Sequence, residues 1–576
     1  MFRAAAVRPS RRENRPSYHL CASFANCRTR RLELNVPSSM RDYDETCANF
    51  EWERPERYNF ARDVIDAQGQ ADPNAQALFC VSEDGTQEQV SYAALSVASR
   101  RLANVLRDAG VRRGDVVILV LGRDRSWWDA MTACIRMGAI ASPGTSQLSA
   151  KDLAWRFEAS NARAVIALPS AAEKVDAIAD RFPNLVAKLV VNDTRAGWID
   201  YRAAMDAASD TFDTVDTAAN EPSMCYFTSG TTKNPKMVLH DQTTYAIGHE
   251  VTGRYWLDQR PGDLHWNISD SGWGKAAWSS YFGPFRCGST VFADQREVFD
   301  PVQALEFLQR YPVTTFCAPP TVYRMLVQQD LASYNFRTLR LCAGAGEPLN
   351  PEVIARWKAA TGLTIREGYG QSETVLVCAN FPGMEVRPGS MGKASPGFDL
   401  QIVNENGDIA PAAEEGDIAV RVKPVRPVGV MVEYWHDAEK TTAAMRGDWY
   451  ITGDRGHRDE DGYFWFTGRA DDVITSAGYR IGPFEVESAL LEHPAVAESA
   501  VVSSPDEMRG AVVKAFIVLA DGFDPSDDLA EQLQQHVKEA TAPYKYPRRV
   551  EFIPELPKNA SGKIRRVELR NREWGG

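Results

Sequence analysis

From about residue 60 the apolar positions alternate between two rhythms. Between Tyr92 and Ala109, Ala, Leu and Val recur at helical spacing and the run stops at Gly110, which predicts a helix. The stretch Asp115-Val-Val-Ile-Leu-Val-Leu121 then predicts a buried strand. Trp127 to Met137 is again helical and is closed by Gly138, while Ala164-Val-Ile-Ala167 and Lys188-Leu-Val-Val-Asn192 predict short strands. Strands alternating with helices predict parallel sheets covered by helices, an α/β fold.

Past residue 400 the texture changes. Leu400-Gln-Ile-Val403, Asp417-Ile-Ala-Val-Arg-Val422 and Tyr463-Phe-Trp-Phe466 predict short strands separated by Gly and Asp turns, a small β-rich subdomain. The polar segment Gly468-Arg-Ala-Asp-Asp472 follows as a hinge candidate. Beyond it lie about 100 residues of α+β pattern, enough for a small domain. There Ser526 is placed to cap a helix whose Leu529, Leu533 and Val537 share one face. The expected organisation is an extension over 1–39, a large N-terminal domain over 40–467, built of parallel-sheet subdomains plus the β-rich one, and a small mobile α+β domain over 468–576.

Composition narrows the class. The chain has 576 residues, 44% hydrophobic and 25% charged, with a net charge of -12. An acidic balance offers nucleic acid no electrostatic attraction. No apolar run approaches the roughly 18 residues of a membrane span. Ten cysteines without a CxxC pair argue against a disulfide framework or zinc ribbon and suit a reducing compartment. Residues 1–39 are rich in Arg and poor in acids. They read either as an upstream extension on a cytoplasmic protein or as a transit peptide, which would place the protein in the mitochondrial matrix.

Candidate chemistry begins at Tyr226-Phe-Thr-Ser-Gly-Thr-Thr-Lys-Asn-Pro-Lys236. A strand end followed by small residues and hydroxyls exposes backbone N–H groups, and Lys236 adds charge, the set a polyphosphate needs. Alone, such a run also reads as a surface loop. Neither a Walker A nor a Rossmann fingerprint is present. Its companions follow in order: Gly344-Ala-Gly-Glu-Pro-Leu349, Tyr369-Gly-Gln-Ser-Glu-Thr374, Tyr450-Ile-Thr-Gly-Asp454, Gly468-Arg-Ala-Asp471, Gly478-Tyr-Arg480 and Pro557-Lys-Asn-Ala-Ser-Gly-Lys563.

This series resembles the adenylate-forming superfamily of acyl-CoA synthetases, peptide-synthetase adenylation domains and beetle luciferases, from about residue 55 to the end. It is most similar to the medium-chain acyl-CoA synthetases. Ser142-Pro-Gly-Thr-Ser-Gln147, Ile268-Ser-Asp-Ser-Gly-Trp273, Ala318-Pro-Pro-Thr-Val-Tyr-Arg-Met325, Ser504-Pro-Asp-Glu-Met-Arg-Gly510 and Thr541-Ala-Pro-Tyr-Lys-Tyr-Pro547 carry that finer likeness.

The resemblance implies an ATP-dependent acid–CoA ligase that uses ATP, CoA and Mg2+. Thr228, Ser229, Gly230, Thr231, Thr232, Lys233, Asn234, Pro235 and Lys236 would wrap the β- and γ-phosphates; Lys233 stands where the family usually has Gly. Gly346, Glu347 and Pro348, with Glu367, Gly368, Tyr369, Gly370, Gln371 and Ser372, would line the adenine and α-phosphate. Ser372 stands in for the more usual Thr. Glu373 would hold Mg2+, Asp454 and Arg469 the ribose. Lys563 would stabilise the adenylation transition state, and Asp471 would be the hinge. Gln147, Ala477, Gly478, Tyr479, Arg509, Lys538 and Tyr546 would bind CoA. Arg480, with Ser372, Trp273 and Gly370, would meet the acid substrate. Acetate-specific members carry Trp where this chain has Gly370, which implies an open apolar channel for medium-chain or aromatic acids. Loading of a carrier protein, an acetate or propionate ligase, and a nucleotide-binding homologue without activity remain as alternatives. The implied partner is a small carboxylic acid, with no nucleic acid and no membrane span; a homo-oligomer stays open.

Overall fold

Two large sheets carry the β–α alternation. A computed structural model of the chain describes residues 38–228, 235–476, 479–558 and 564–575. The first sheet runs in the order Glu433–Tyr434, Lys236–Asp241, Pro222–Thr228, Ile140–Pro143, Val116–Val120, Ala164–Ala167, Ala187–Val190, Ile199–Asp200. Its strands are parallel except at one edge, where Lys236–Asp241 returns antiparallel beside Pro222–Thr228 and Glu433–Tyr434 is added outside it. Val116–Val120 is buried on both faces, as its unbroken apolar run requires.

The helices end where the sequence places their stops. Ser91 caps Tyr92–Asp108 by accepting a hydrogen bond from Ala94 N, and Gly138 closes Ser126–Met137 in the left-handed region at φ 69°. Burial of each large apolar side chain on these helices contributes about 1.5–3 kcal/mol.

The second sheet has a parallel centre of Gln76–Val81, Thr290–Asp294, Leu264–Asn267, Thr315–Ala318, Leu341–Ala345 and Ile365–Gly370. It continues antiparallel through Leu376–Ala379 and Ser390–Ala394 into Phe464–Arg469, Trp449–Arg458, Gly416–Arg421 and Leu400–Val403. The expected β-rich subdomain is therefore an extension of a main sheet, and Leu400, Ile402, Ile418 and Phe464 join the main apolar core. The folded unit opens at Ser39, whose backbone N–H donates to Asp258 Oδ1 at 3.0 Å, and Met40 is buried.

After Arg469 the chain builds separate small sheets. Ile474–Ser476 pairs with Tyr479–Ile481, and Val496–Asp506, Gly510–Leu519 and Arg549–Phe552 form a three-stranded sheet. Ser526 caps Asp527–Ala540 through Leu529 N, and Leu529, Leu533 and Val537 are buried in a core with Val486, Val513 and Ile517.

Candidate active site

Asp454 lies in the strand Trp449–Arg458 and is only 4% exposed, yet three donors reach its carboxylate. Tyr369 Oη donates to Oδ2 at 2.6 Å, Gln371 Nε2 donates to the same oxygen at 2.6 Å, and Arg469 pairs with Oδ1 at 3.0 Å. The register explains the last contact, because Asp454 and Arg469 are cross-strand partners. Burial works against the Arg469 charge, but Asp454 and Asp471 outweigh it and raise its pKa. Tyr450 Oη donates to Gln371 Oε1 at 3.1 Å, so the glutamine amide is fixed in orientation. The result is a rigid rim of alternating donors and acceptors, suited to a polyhydroxylated ligand.

Glu373 stands beside this rim. Burial raises its carboxyl pKa, while Tyr434 Oη, donating to Oε1 at 2.9 Å, opposes that shift. The Lys236 ammonium lies 4.6 Å from the Tyr434 ring centre. Thr228 and Lys236 face each other across the hairpin, which ties the two ends of the 228–236 loop together. Ser229, Gly230, Thr231, Thr232, Lys233 and Asn234 lie outside the described residues, as do Ala477, Gly478 and Lys563. Pro235, half-buried, adjoins that loop.

Glu367 is buried in the adjoining strand. Its Oε1 accepts from Leu349 N at 2.8 Å, and burial pushes the carboxyl up to about 8. Gly346, at φ 109°, turns the chain in a way few other residues tolerate, and Glu347 beside it pairs with Arg324 at 3.4 Å. Gly368 pairs with Ala345 across the adjoining strands, and Pro348 follows Glu347 in the turn after Leu341–Ala345.

Ser372 sits between the two sheets. Its carbonyl accepts from Tyr245 Oη at 2.7 Å and from His240 Nε2 at 2.7 Å. A methyl group added to Gly274 would lie 3.5 Å from Ser372 Oγ and 3.4 Å from Tyr245 Oη. Trp273 precedes Gly274 and is half-buried.

Gly370 itself leaves no open space for a side chain. A side chain there would run into the Val375 carbonyl and sit 2.6 Å from Trp278 Cη2. The glycine is required by a close backbone approach, and a buried tryptophan from another segment already fills the adjoining space.

The CoA candidates fall into separate groups. Lys538 Nζ lies 4.2 Å from the Tyr546 ring centre, and Arg548 caps the same ring at 4.8 Å while donating to Tyr546 Oη at 2.7 Å. Tyr479 stacks on Tyr544 with centroids 4.3 Å apart. Arg509 is exposed in the turn before Gly510–Leu519, and Gln147 is exposed in the turn after Ile140–Pro143. Arg480 pairs with Glu405 at 3.8 Å rather than with the Ser372–Asp454 rim. Asp471 offers its carbonyl to Arg570 at 2.7 Å, and Asp472 pairs with Arg570 at 2.6 Å. Arg469 and Asp472 thus tie the two sides of this segment to different parts of the fold.

Sequence reasoning missed His240, Tyr245, Tyr434 and Trp278. For His240 a signal existed: a histidine inside the apolar run Met237-Val-Leu-His240, on the same strand face as Lys236 at period two. Tyr434 lies outside every motif and arrives only through strand pairing.

The family model for the AMP-binding enzyme matches residues 65–435, and the one for the AMP-binding enzyme C-terminal domain matches residues 485–563. The chain belongs to the AMP-binding enzyme family. It is 49% identical to the mitochondrial acyl-coenzyme A synthetase ACSM3 of Rattus norvegicus over 548 residues, 94% of each chain. It is 50% identical to the mitochondrial acyl-coenzyme A synthetase ACSM4 of Homo sapiens over 531 residues, 91% of this chain and 92% of that one. Among solved structures it is similar to the anthranilate CoA ligase AuaEII in complex with anthranoyl-AMP. That match has a TM-score of 0.83 and 29% identity, covering 90% of this chain and 98% of that chain.

Proposed function

We propose that this chain is an ATP-dependent acid–CoA ligase acting on medium-chain fatty or aromatic carboxylic acids. The observation that carries the reading is the buried Asp454 rim, with Tyr369, Gln371 and Arg469 converging on one carboxylate beside Glu373. Asp454 accepts from the ribose hydroxyls, and Arg469 holds it in place. The acid carboxylate attacks the α-phosphorus of ATP, the α–β bridging bond breaks, and pyrophosphate leaves. The CoA thiol then attacks the acyl carbon, loses its proton, and AMP departs.

Glu373 fits a magnesium ion, since Mg2+ is commonly held by one or two carboxylates together with substrate phosphates. Its buried carboxyl, with a raised pKa, gains from a neighbouring cation, and Tyr434 fixes its orientation. Bound there, the ion would neutralise charge on the phosphates. Lys563 supplies a further cation to the same step. The segment 468–576 is read as a domain that turns about Asp471 between the two steps. Its Tyr479, Lys538, Tyr546 and Arg509 are read as CoA-binding residues, a role the family resemblance also gives to Ala477, Gly478 and Gln147. Arg480 reaches the acid only after such a turn.

The relatives' names support acyl-CoA synthesis over carrier-protein loading, and anthranoyl-AMP in the solved relative supports an adenylate intermediate. Of the two locations, the mitochondrial matrix draws support from those names and from the Arg-rich residues 1–39. No described helix is long and apolar enough to cross a membrane.

The deciding experiment is an acid panel from C2 to C12 plus benzoates, read by AMP release with and without CoA, alongside ATP–pyrophosphate exchange. Exchange with CoA-dependent AMP release on C6–C10 acids or benzoates is expected. Absence of exchange would leave a nucleotide-binding homologue, and a C2–C3 optimum would favour acetate or propionate.

A further inference from the structure

The two consecutive carbonyls of Ser372 and Glu373 are both held. The Ser372 carbonyl takes two donors at once, Tyr245 Oη and His240 Nε2, each at 2.7 Å. The next carbonyl, of Glu373, accepts from Met431 N at 2.7 Å. A carbonyl oxygen only accepts, so His240 must carry its proton on Nε2. His240 is fully buried, its Nδ1 has no hydrogen-bond partner among the described residues, and burial holds its pKa down at about 3. The ring is therefore neutral in the working range. Its face packs against Tyr245 with centroids 3.9 Å apart, so each donor also sets the angle of the other.

Leaving a buried imidazole nitrogen without a partner costs free energy of the order of the lost hydrogen bond. An apolar residue at 240 would avoid that cost and fill the same core. The arrangement keeps the histidine, and what it keeps with it is one extra donor aimed at the Ser372 carbonyl.

We infer that His240 and Tyr245 are positioning residues that lock the Ser372–Glu373 peptide, so that Ser372 Oγ and the Glu373 carboxylate meet the nucleotide's phosphates together. This rests on the ligase reading above. Neither residue touches the reacting atoms. They remove the rotation of one peptide unit, which would otherwise swing the hydroxyl and the carboxylate out of register. Catalytic groups misplaced by about 1 Å can lose about a hundredfold in rate.

The test uses the full chain with octanoate. Tyr245→Phe removes one donor and keeps the ring; His240→Gln keeps a donor, and His240→Leu removes it. Expected for Tyr245→Phe and His240→Leu is a fall of at least about tenfold in ATP–pyrophosphate exchange. The Mg2+ concentration for half-maximal exchange should rise several-fold. Thioester formation from supplied octanoyl adenylate should stay within about twofold, and His240→Gln should restore much of the exchange lost by His240→Leu. Equal losses in both half-reactions, an unchanged Mg2+ requirement, or no difference between Gln and Leu at 240 would overturn the inference. Glu373→Gln separates the two levels. If it leaves exchange and Mg2+ dependence untouched, the ligase reading of Glu373 is wrong. If it abolishes exchange while Tyr245→Phe and His240→Leu change nothing, only the positioning role fails.

Discussion

Asp454 is 4% exposed and takes donors from three side chains, whereas Tyr479 on the C-terminal segment is 53% exposed and stacks on one neighbour. Lys538, Tyr546 and Arg548 hold one another by cation–π contacts and one hydrogen bond at the surface. The first region is organised before any ligand arrives, and its groups have given up their mobility on folding. The second is a set of small, half-buried to exposed clusters, each held by one or two neighbours. An enzyme that uses one nucleotide pocket for two chemical steps gains from this division, because the reading requires only the exposed part to move.

The largest effect should come from Lys563, the cation that the proposed function assigns to adenylate formation. Lys563→Ala is expected to slow adenylate formation by about a hundred- to a thousandfold, the range for removal of one group stabilising a charged transition state. Thioester formation from supplied acyl adenylate should change far less. Single-turnover measurement of the two halves checks this, and equal losses would remove the case for two arrangements of the segment.

Asp454→Asn attacks the rim itself. Asparagine keeps the shape but replaces one acceptor oxygen by a donor and leaves Arg469 only the more distant Asp471, at 3.9 Å, as an anionic partner. A hydrogen bond to a charged group contributes about 1.5–3 kcal/mol, so kcat/KM for ATP should fall about ten- to a hundredfold. Lys538→Ala, on the solvated face, should raise the KM for CoA about tenfold or less and leave ATP–pyrophosphate exchange unchanged. If both variants impair exchange to the same degree, the contrast between the regions is wrong.

The acid pocket sharpens the comparison on the rigid side. Gly370→Trp should abolish activity toward acids of every length, because the new side chain meets the Val375 backbone. Trp278→Leu is the informative variant. If Trp278 limits the acyl channel, its trimming should shift the optimum to longer acids. Each additional buried methylene is worth about 0.8 kcal/mol, close to fourfold. An unchanged chain-length profile in Trp278→Leu would place the channel elsewhere.

How much of this was readable in the residues depends on whether a contact is local. The helix Tyr92–Asp108 and the cap at Ser526 follow from spacing and chemistry within one segment, and both formed as expected. Asp454 and Arg469 were readable as motif members, but their pairing required the register of two strands. Tyr434, Tyr245 and Trp278 reach the site from segments without a motif, so nothing local marked them. Gly370 was legible as a glycine and misleading as a space: an absent side chain does not reveal whether a neighbour has filled the volume.

The smallest effect is expected at Glu367, where the rigid wall carries a cost that the solvated face avoids. Burial lifts its carboxyl from an ordinary 4.5 to about 8. The folded chain then holds a proton that the unfolded chain has already released between those values. Stability falls with rising pH wherever the unfolded state binds fewer protons. The contribution is therefore present in full below about pH 4.5, declines through the window, and is gone above about pH 8. Glu367→Gln keeps an acceptor for Leu349 N and carries no titrating proton. The melting temperature of the variant relative to the parent should therefore rise from pH 5 to pH 8.5, by a few degrees in all. Measured by thermal unfolding in matched buffers, a difference that stays flat across the window would mean that Glu367 is ionised in the folded protein. The wall would then hold a charge in the same way as the Asp454 rim.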